Sequence, residues 1–277
     1  MRSSPIPEWL IESSQLSDIG LRRRHNEDYV ACYEPNHPAE LATHGRLYVL
    51  ADGVGGGAAG EVASEYAVRR IIYSHYQDQD GTPAGRLCRA VDTTNAAICA
   101  YNRKRTDRRD MATTVVAALI VGDQLTVANV GDSRAYLIHD GTIHQITQDH
   151  SLVAEMVNEG SLTPQQAEAH PYRNVILRSI GPNDSVKVDI FTRQITPRHT
   201  VFLCSDGLTR RVSDQEIADI VTPQPSAQAA RQLIDLANER GGEDNITVSI
   251  THITDQVLRN VTDGGAQRPQ MPHWDDF

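Results

Sequence analysis

The sequence predicts an α+β domain built on antiparallel sheet, and three observations carry that prediction. Between residues 113 and 147, TTVVAALIV and QLTVANV flank Gly122-Asp123, then RAYLIH and TIHQIT flank Asp140-Gly141, the pattern of two successive hairpins. Two earlier stretches, from Ala58 to Gln77 and from Thr82 to Tyr101, repeat apolar residues at helical rather than strand intervals. No linker or internal repeat divides the 277 residues, so one domain is expected.

Taken in order, residues 1–14 read as an extended lead-in, and Gln15 to Ile19 begin a strand. LRRRHNED then sets Arg23, Glu27 and Asp28 ahead of an apolar stretch, Tyr29 to Tyr33, that reads as the next strand. A loop with Pro35 and Pro38 leads to Leu47–Leu50, a short buried strand that breaks at Asp52-Gly53 into a run containing Gly53, Gly55, Gly56 and Gly57. Val62, Ala63, Tyr66, Ala67 and Ile71 mark the first helix. Thr82 and Pro83 form an N-cap and first-turn pair for the second, whose face carries Leu87, Val91, Thr94, Ile98 and Tyr101. After the hairpins, residues 149–180 interrupt the sheet with short helical pieces around Gly160 and Thr163-Pro164 and read as a small surface subdomain. VKVDIFTRQI, TVFLCS and ITVSITHI supply the last strands. Ser213 and Glu216 have capping-box spacing, and Ser226 is placed to cap a final helix carrying Ala229, Leu233, Leu236 and Ala237. The expected organisation is a lead-in over 1–14, one domain over 15–255, and a loosely ordered tail over 256–277.

Composition narrows the function. An apolar content of 39% supports a real core, and a formal charge of −10 argues against nucleic acid as a main partner. Pro and Glu in the first residues exclude a signal peptide, and no apolar run reaches membrane-span length, so a cytoplasmic protein without membrane contact is expected. Cys32, Cys88, Cys99 and Cys204 show no CxxC spacing and are expected as reduced, mostly buried thiols.

Acids recur where strands end beside tight-turn residues: Asp52, Asp132, Asp206 and Asp244, joined by Glu27 and Asp28. Carboxylates held together by rigid strand ends repel one another unless a cation neutralises them. Glycine after Asp52 leaves the Gly53 carbonyl bare, and carboxylate with carbonyl oxygens suits a hard divalent cation. Two such ions sharing a carboxylate would hold a water between them, lower its pKa and aim it at phosphorus or a carbonyl, which is hydrolysis. Arg23, four residues before Glu27, offers a fork for two phosphate oxygens. Plainer readings stand beside these. Asp52 can cap a DG turn, and Asp132 can pair with Arg134 or cap its own turn. Asp18, Asp123 and Asp140 read as turn formers and Asp149 as a cap. His25, His44, His150 and His170 lack metal-ligand spacing and read as structural.

The ordered set RRRHNED, LADGVGGGAAGEVAS, TTVVAAL, NVGDSRAYL, QDHSLV, LRSIG, LCSDGL and GGEDNITV resembles the metal-dependent protein serine/threonine phosphatases of type 2C, in their bacterial form, over residues 15–253. The resemblance implies a four-layer α/β/β/α sandwich, two antiparallel sheets with helices on each outer face, and a flap formed by residues 149–180. It implies two Mn²⁺ or Mg²⁺ ions. Asp52 would bridge both, Glu27 and the Gly53 carbonyl would complete the second, Asp206 and Asp244 would hold the first, and Asp28 would act behind them. Arg23 would bind the substrate phosphate, and Asp132 with Asp206 matches a weaker third metal site. The implied substrate is phosphoserine or phosphothreonine on proteins phosphorylated by a Ser/Thr kinase. It would be hydrolysed by direct attack of a water or hydroxide bridging the two ions, in a monomeric signalling enzyme.

The chain departs from that pattern at three positions. Gly57 stands where His is usual, which leaves the general acid unassigned. Arg210 stands where an acid often supports the third metal, so that site is weakened or differently built, and Ala112 replaces a common Gly without expected effect. Two other functions fit the same fold: a catalytically silent module that docks phosphoproteins, and a hydrolase of small phosphate esters.

Overall fold

Three strands, β3 (Arg46–Val54), β5 (Val115–Val121) and β6 (Gln124–Val130), are buried at most positions, so both of their faces are covered. The computed structural model describes residues 9–54, 58–104, 111–255 and 270 and shows how this is done. Along β3, Leu47, Val49 and Ala51 point to one core and Tyr48 and Leu50 to another, the period-two alternation of a strand. The first core lies under α2 (Ala58–Gln77) and α3 (Pro83–Asn102); the second lies between two sheets. A third core, around Phe202, Val248 and Leu233, packs the other sheet against α7 (Asp214–Val221) and α8 (Ser226–Glu239). Three cores between four layers give the α/β/β/α sandwich, and each fully buried Leu, Ile or Phe contributes about 2 kcal/mol by area removed from water.

Every strand pair is antiparallel. One sheet runs β2 (Asp28–Tyr33), β3, β5, β6, β9 (Asp189–Gln194), with the short β4 (Ala112–Thr113) also paired to β3. The other runs β1 (Leu10–Asp18), β11 (Ile246–Thr254), β10 (His199–Cys204), β7 (Arg134–His139), β8 (Thr142–Gln145). Four short helices complete the described chain: α1 (Pro38–His44), α4 (Leu152–Asn158), α5 (Pro164–Glu168) and α6 (Asp206–Thr209).

Several boundaries differ from expectation. The first strand starts at Leu10 rather than Gln15, because residues 10–18 pair without a break from Leu10↔Thr254 to Asp18↔Ile246. The polar run Glu12-Ser13-Ser14-Gln15 hides this strand from a hydrophobicity reading. β3 continues through Asp52 to Val54, since Gly53 and Val54 pair with β4. The Pro38 loop folds into α1, with Pro at its first turn. Ser226 is the first residue of α8 and does not cap it; its N–H and hydroxyl instead both donate to Glu12 Oε1. The cap at Thr82 and the Ser213–Glu216 box form as expected, and the helical piece at Thr163-Pro164 is α5, capped by Thr163. Gly55, Gly56, Gly57 and the tail from Gln256, apart from Gln270, lie outside the described residues. All four cysteines are free, Cys99 and Cys204 buried, Cys32 and Cys88 half-buried. Among the described residues no helix is long and apolar enough to cross a membrane.

Candidate metal centre

The alternation that sends Tyr48 and Leu50 between the sheets puts Asp52 on the same face, at the end of the seam. Asp28 stands directly opposite it in the β2–β3 register. From the other sheet, Asp206 follows β10 and opens α6, while Asp244 lies two residues before β11. Acids far apart in sequence therefore meet at one end of the sandwich. Their electrostatics record the meeting: the Asp52 carboxyl is pushed well above its ordinary range by burial first, then by Asp28, Asp206, Asp132 and Asp244. Burial likewise lifts Asp28 and Asp132, each to about 7, with Asp206 adding to both, and it lifts Asp206, where Asp244 adds and Arg210 opposes.

A small set of hydroxyls, amides and glycines holds these acids. Thr114 Oγ1 accepts the Asp52 N–H at 3.0 Å and bonds Ser133 Oγ at 2.8 Å, while the Thr114 N–H and the Thr113 hydroxyl both donate to the Asp52 carbonyl. Gly131 is required beside this clamp. Its φ is +115° and a Cβ there would lie 2.6 Å from Thr114 Cγ2. Ser205 donates to Asp28 Oδ2 at 2.7 Å and accepts the Thr247 N–H, which ties the two sheets together behind the acids. Asn245 accepts the Glu27 N–H and donates to the carbonyls of Ile19 and His25, fixing the loop that carries Arg23 and Glu27. Where α2 begins, Gly53 and Gly60 are in backbone contact, and a Cβ on Gly60 would stand 2.3 Å from Glu27 Oε2.

Sequence reasoning named the acids and Arg23 but gave no role to Thr113, Thr114, Ser133, Ser205 or Asn245. All carried a visible signal: Ser133, Ser205 and Asn245 each adjoin an assigned acid, and the threonines form a paired polar interruption of an apolar run. Asp132 does not pair with Arg134. That guanidinium is taken by Asp149, with Nε and Nη2 at 2.8–3.0 Å, so Asp149 is an ion-pair partner rather than a turn cap. His150 is structural: its Nδ1 accepts the Gly131 N–H and its Nε2 lies 3.0 Å from Asp189 and 2.8 Å from Arg178. This joins the loop before α4 to β9 and to the LRSIG segment.

Three buried carboxylate oxygens, Asp28 Oδ1, Asp132 Oδ1 and Asp206 Oδ1, have no hydrogen-bond partner among the described residues. Orphaned anionic oxygens at a buried site are costly, and an oxygen-seeking divalent cation satisfies them, so the donor set fits such an ion. The side chains do not stand as a finished cage: among the described residues no three His, Cys, Asp or Glu groups are gathered closely enough to hold one. Two arginines occupy the acids instead. Arg23 Nη2 lies 2.8 Å from Asp244 Oδ1 and 2.9 Å from Oδ2, and Arg210 donates to Asp206 Oδ2 while its Nη1 lies 3.6 Å from Asp244 Oδ2.

A four-layer sandwich with an acid-rich, arginine-flanked centre at the seam of its sheets is a recognisable class, and comparison narrows it. The family profile described as protein phosphatase 2C matches residues 24–248. A serine/threonine phosphatase stp from Listeria welshimeri is 38% identical over 239 residues, covering 84% of this chain and 92% of that protein. The serine/threonine protein phosphatase PstP of Mycobacterium tuberculosis is 37% identical over 86% of this chain, which spans 44% of its length. A crystal structure of the catalytic domain of a PstP in complex with two manganese ions superimposes with a TM-score of 0.77 at 34% identity, covering 89% of this chain and 99% of that one. The chain belongs to the protein phosphatase 2C family.

Proposed function

We propose that this family member hydrolyses phosphoserine and phosphothreonine in proteins with two Mn²⁺ or Mg²⁺ ions. In this reading Asp52 would serve both ions, Asp206 and Asp244 would hold one, Glu27 and the Gly53 carbonyl would hold the other, and Asp132 with Asp206 would offer a weaker third position. The observation that carries it is the buried acid cluster drawn from both sheets, whose carboxyls are raised by burial and by one another and three of whose oxygens are left without partners. When bound, the ions would supply charge neutralisation and an activated water for in-line attack on phosphorus.

The chain's own groups do the rest. Arg23, at the rim and 44% exposed, can turn from Asp244 to a phosphate and grip two of its oxygens. Asp28, held by Ser205, stays behind the first ligands and shapes their charge. A cleft of about 1150 Å³ runs from Asp132, Asp206 and Asp244 between α4 and α5 on one side and α6 and α7 on the other. Its size suits a peptide segment rather than a small phosphate ester, and residues 149–180 would act as its cover.

The test is hydrolysis of a phosphopeptide beside a sugar phosphate. Turnover should favour the peptide, require added Mn²⁺ or Mg²⁺ and vanish with chelator, and Asp52→Ala should lower it by orders of magnitude. Equal turnover by chelated, Asp52→Ala and parent protein would refute the mechanism. Mn²⁺ uptake without turnover would point instead to a silent docking module.

A further inference from the structure

Arg210 closes the short turn that Asp206 opens, four residues on, so its side chain returns over the acid at the start of α6. The oxygens of the two carboxylates around it can be counted. Asp206 Oδ2 accepts from Arg210, and Oδ1 is buried with no partner. Asp244 Oδ1 meets Arg23 and the Asn245 N–H, and Oδ2 meets Arg23 and faces Arg210. Arg23 touches Asp244 alone, whereas Arg210 spans both acids and also favours the charged form of Asp132. An ion that takes Asp206 Oδ2 and Asp244 Oδ2 must displace the guanidinium that faces both, because those oxygens would otherwise have to serve two cations.

We propose that Arg210 is an internal counter-cation of the metal centre. It holds Asp206 and Asp244 until a divalent ion displaces it, so that ion uptake there is an exchange rather than an addition. The proposal rests on the metal-centre reading given above and adds a role for a residue that contributes no ligand. Once displaced, the guanidinium remains on the wall of the cleft that Arg173 and Arg211 also line. The charge of Arg210 is then added to theirs for a phosphorylated segment only after the ion has bound.

The experiment is calorimetric titration of MnCl₂ into the full chain, comparing the parent with Arg210→Gln and Arg210→Lys, together with thermal melts of each in chelator and in Mn²⁺. If the free protein holds the arginine closed about nine-tenths of the time, removing it tightens the apparent Kd of one ion about tenfold. The Gln variant should also melt lower than the parent in chelator, where its acids have lost a cation, and gain more on Mn²⁺ addition. The Lys variant keeps the charge but not the fork and should bind between the two. Equal or weaker Mn²⁺ binding by Arg210→Gln overturns the proposal while leaving the metal centre intact. If Arg210→Gln does not fold, a Lys variant that binds no tighter than the parent overturns it alone. If neither parent nor variant takes up Mn²⁺, the metal-centre reading falls and the exchange falls with it.

Discussion

Replacing Thr114 by Val tests whether the position of Asp52 is set by a buried hydroxyl. Thr114 and Ser133 are both fully buried, and the Thr114 hydroxyl accepts the Asp52 N–H at 3.0 Å and bonds Ser133 Oγ at 2.8 Å. Val matches Thr in size, so the substitution opens no cavity. It leaves the Asp52 N–H and the Ser133 hydroxyl without their partner, and a buried polar group stranded this way costs about 1–3 kcal/mol. Two such groups amount to about 2–6 kcal/mol, and at about 2–4 °C of Tm per kcal/mol for a large domain the fall is at least about 4 °C. Thermal melting followed by circular dichroism in chelator measures this, with Thr114→Ser as the control that keeps the hydroxyl. A Val variant that melts within about 2 °C of the parent, or a Ser variant that falls as far as Val, would refute the reasoning. Mn²⁺ titration of the folded Val variant gives a second readout, since a looser Asp52 should bind the ion more weakly.

Two further outcomes are expected. Asp28 and Asp132 are lifted by burial to about 7, so the folded chain binds protons that the unfolded chain releases; that contribution is present at low pH and is lost as pH rises through about 7. The metal-free protein should therefore melt higher at about pH 7 than at about pH 8.5, a window above the range where buried His75 and His150 and half-buried His252, whose pKa values burial lowers, begin to oppose the trend. Saturating Mn²⁺ should flatten the difference, and a metal-free Tm that rises with pH across this window would contradict the cluster's electrostatics. Gly60→Ala places a Cβ 2.3 Å from Glu27 Oε2, so Glu27 must move; the helix gains roughly 1 kcal/mol of propensity in return. Its Tm should change little while Mn²⁺ affinity drops about tenfold, and calorimetry showing parent-like affinity would remove Glu27 from the ligand set.

Strands and helices were legible because their periods differ, and Leu47–Leu50 read as a buried strand because it is apolar on both faces; the stacking into four layers came from the resemblance to the phosphatase family. The acids were legible because each breaks an apolar run beside a turn. What stayed hidden lacked such contrast. β1 is polar along its exposed side, so five of its residues passed as a lead-in, and Ser226 looked like a helix cap although its hydrogen bonds go to Glu12 on a distant strand. The choice of Asp149 over Asp132 by Arg134 depends on how the β7–β8 hairpin folds back, which residue spacing does not encode. The hold of Arg210 on two carboxylates is equally non-local, since Asp244 approaches it only through the pairing of β10 with β11.

The placement of the acids bears on stability as well as chemistry. Asp28 and Asp52 are carried by one sheet, and Asp206 and Asp244 by the other, with Ser205 as the hydroxyl stitched between them. An ion held by Asp52 on one leaf and by Asp206 and Asp244 on the other would act as a rivet through the sandwich, resisting the sliding or parting of its leaves. Resistance to unfolding would then rise with the logarithm of free ion concentration, so that the supply of divalent cations sets how long the protein lasts as well as how fast it works.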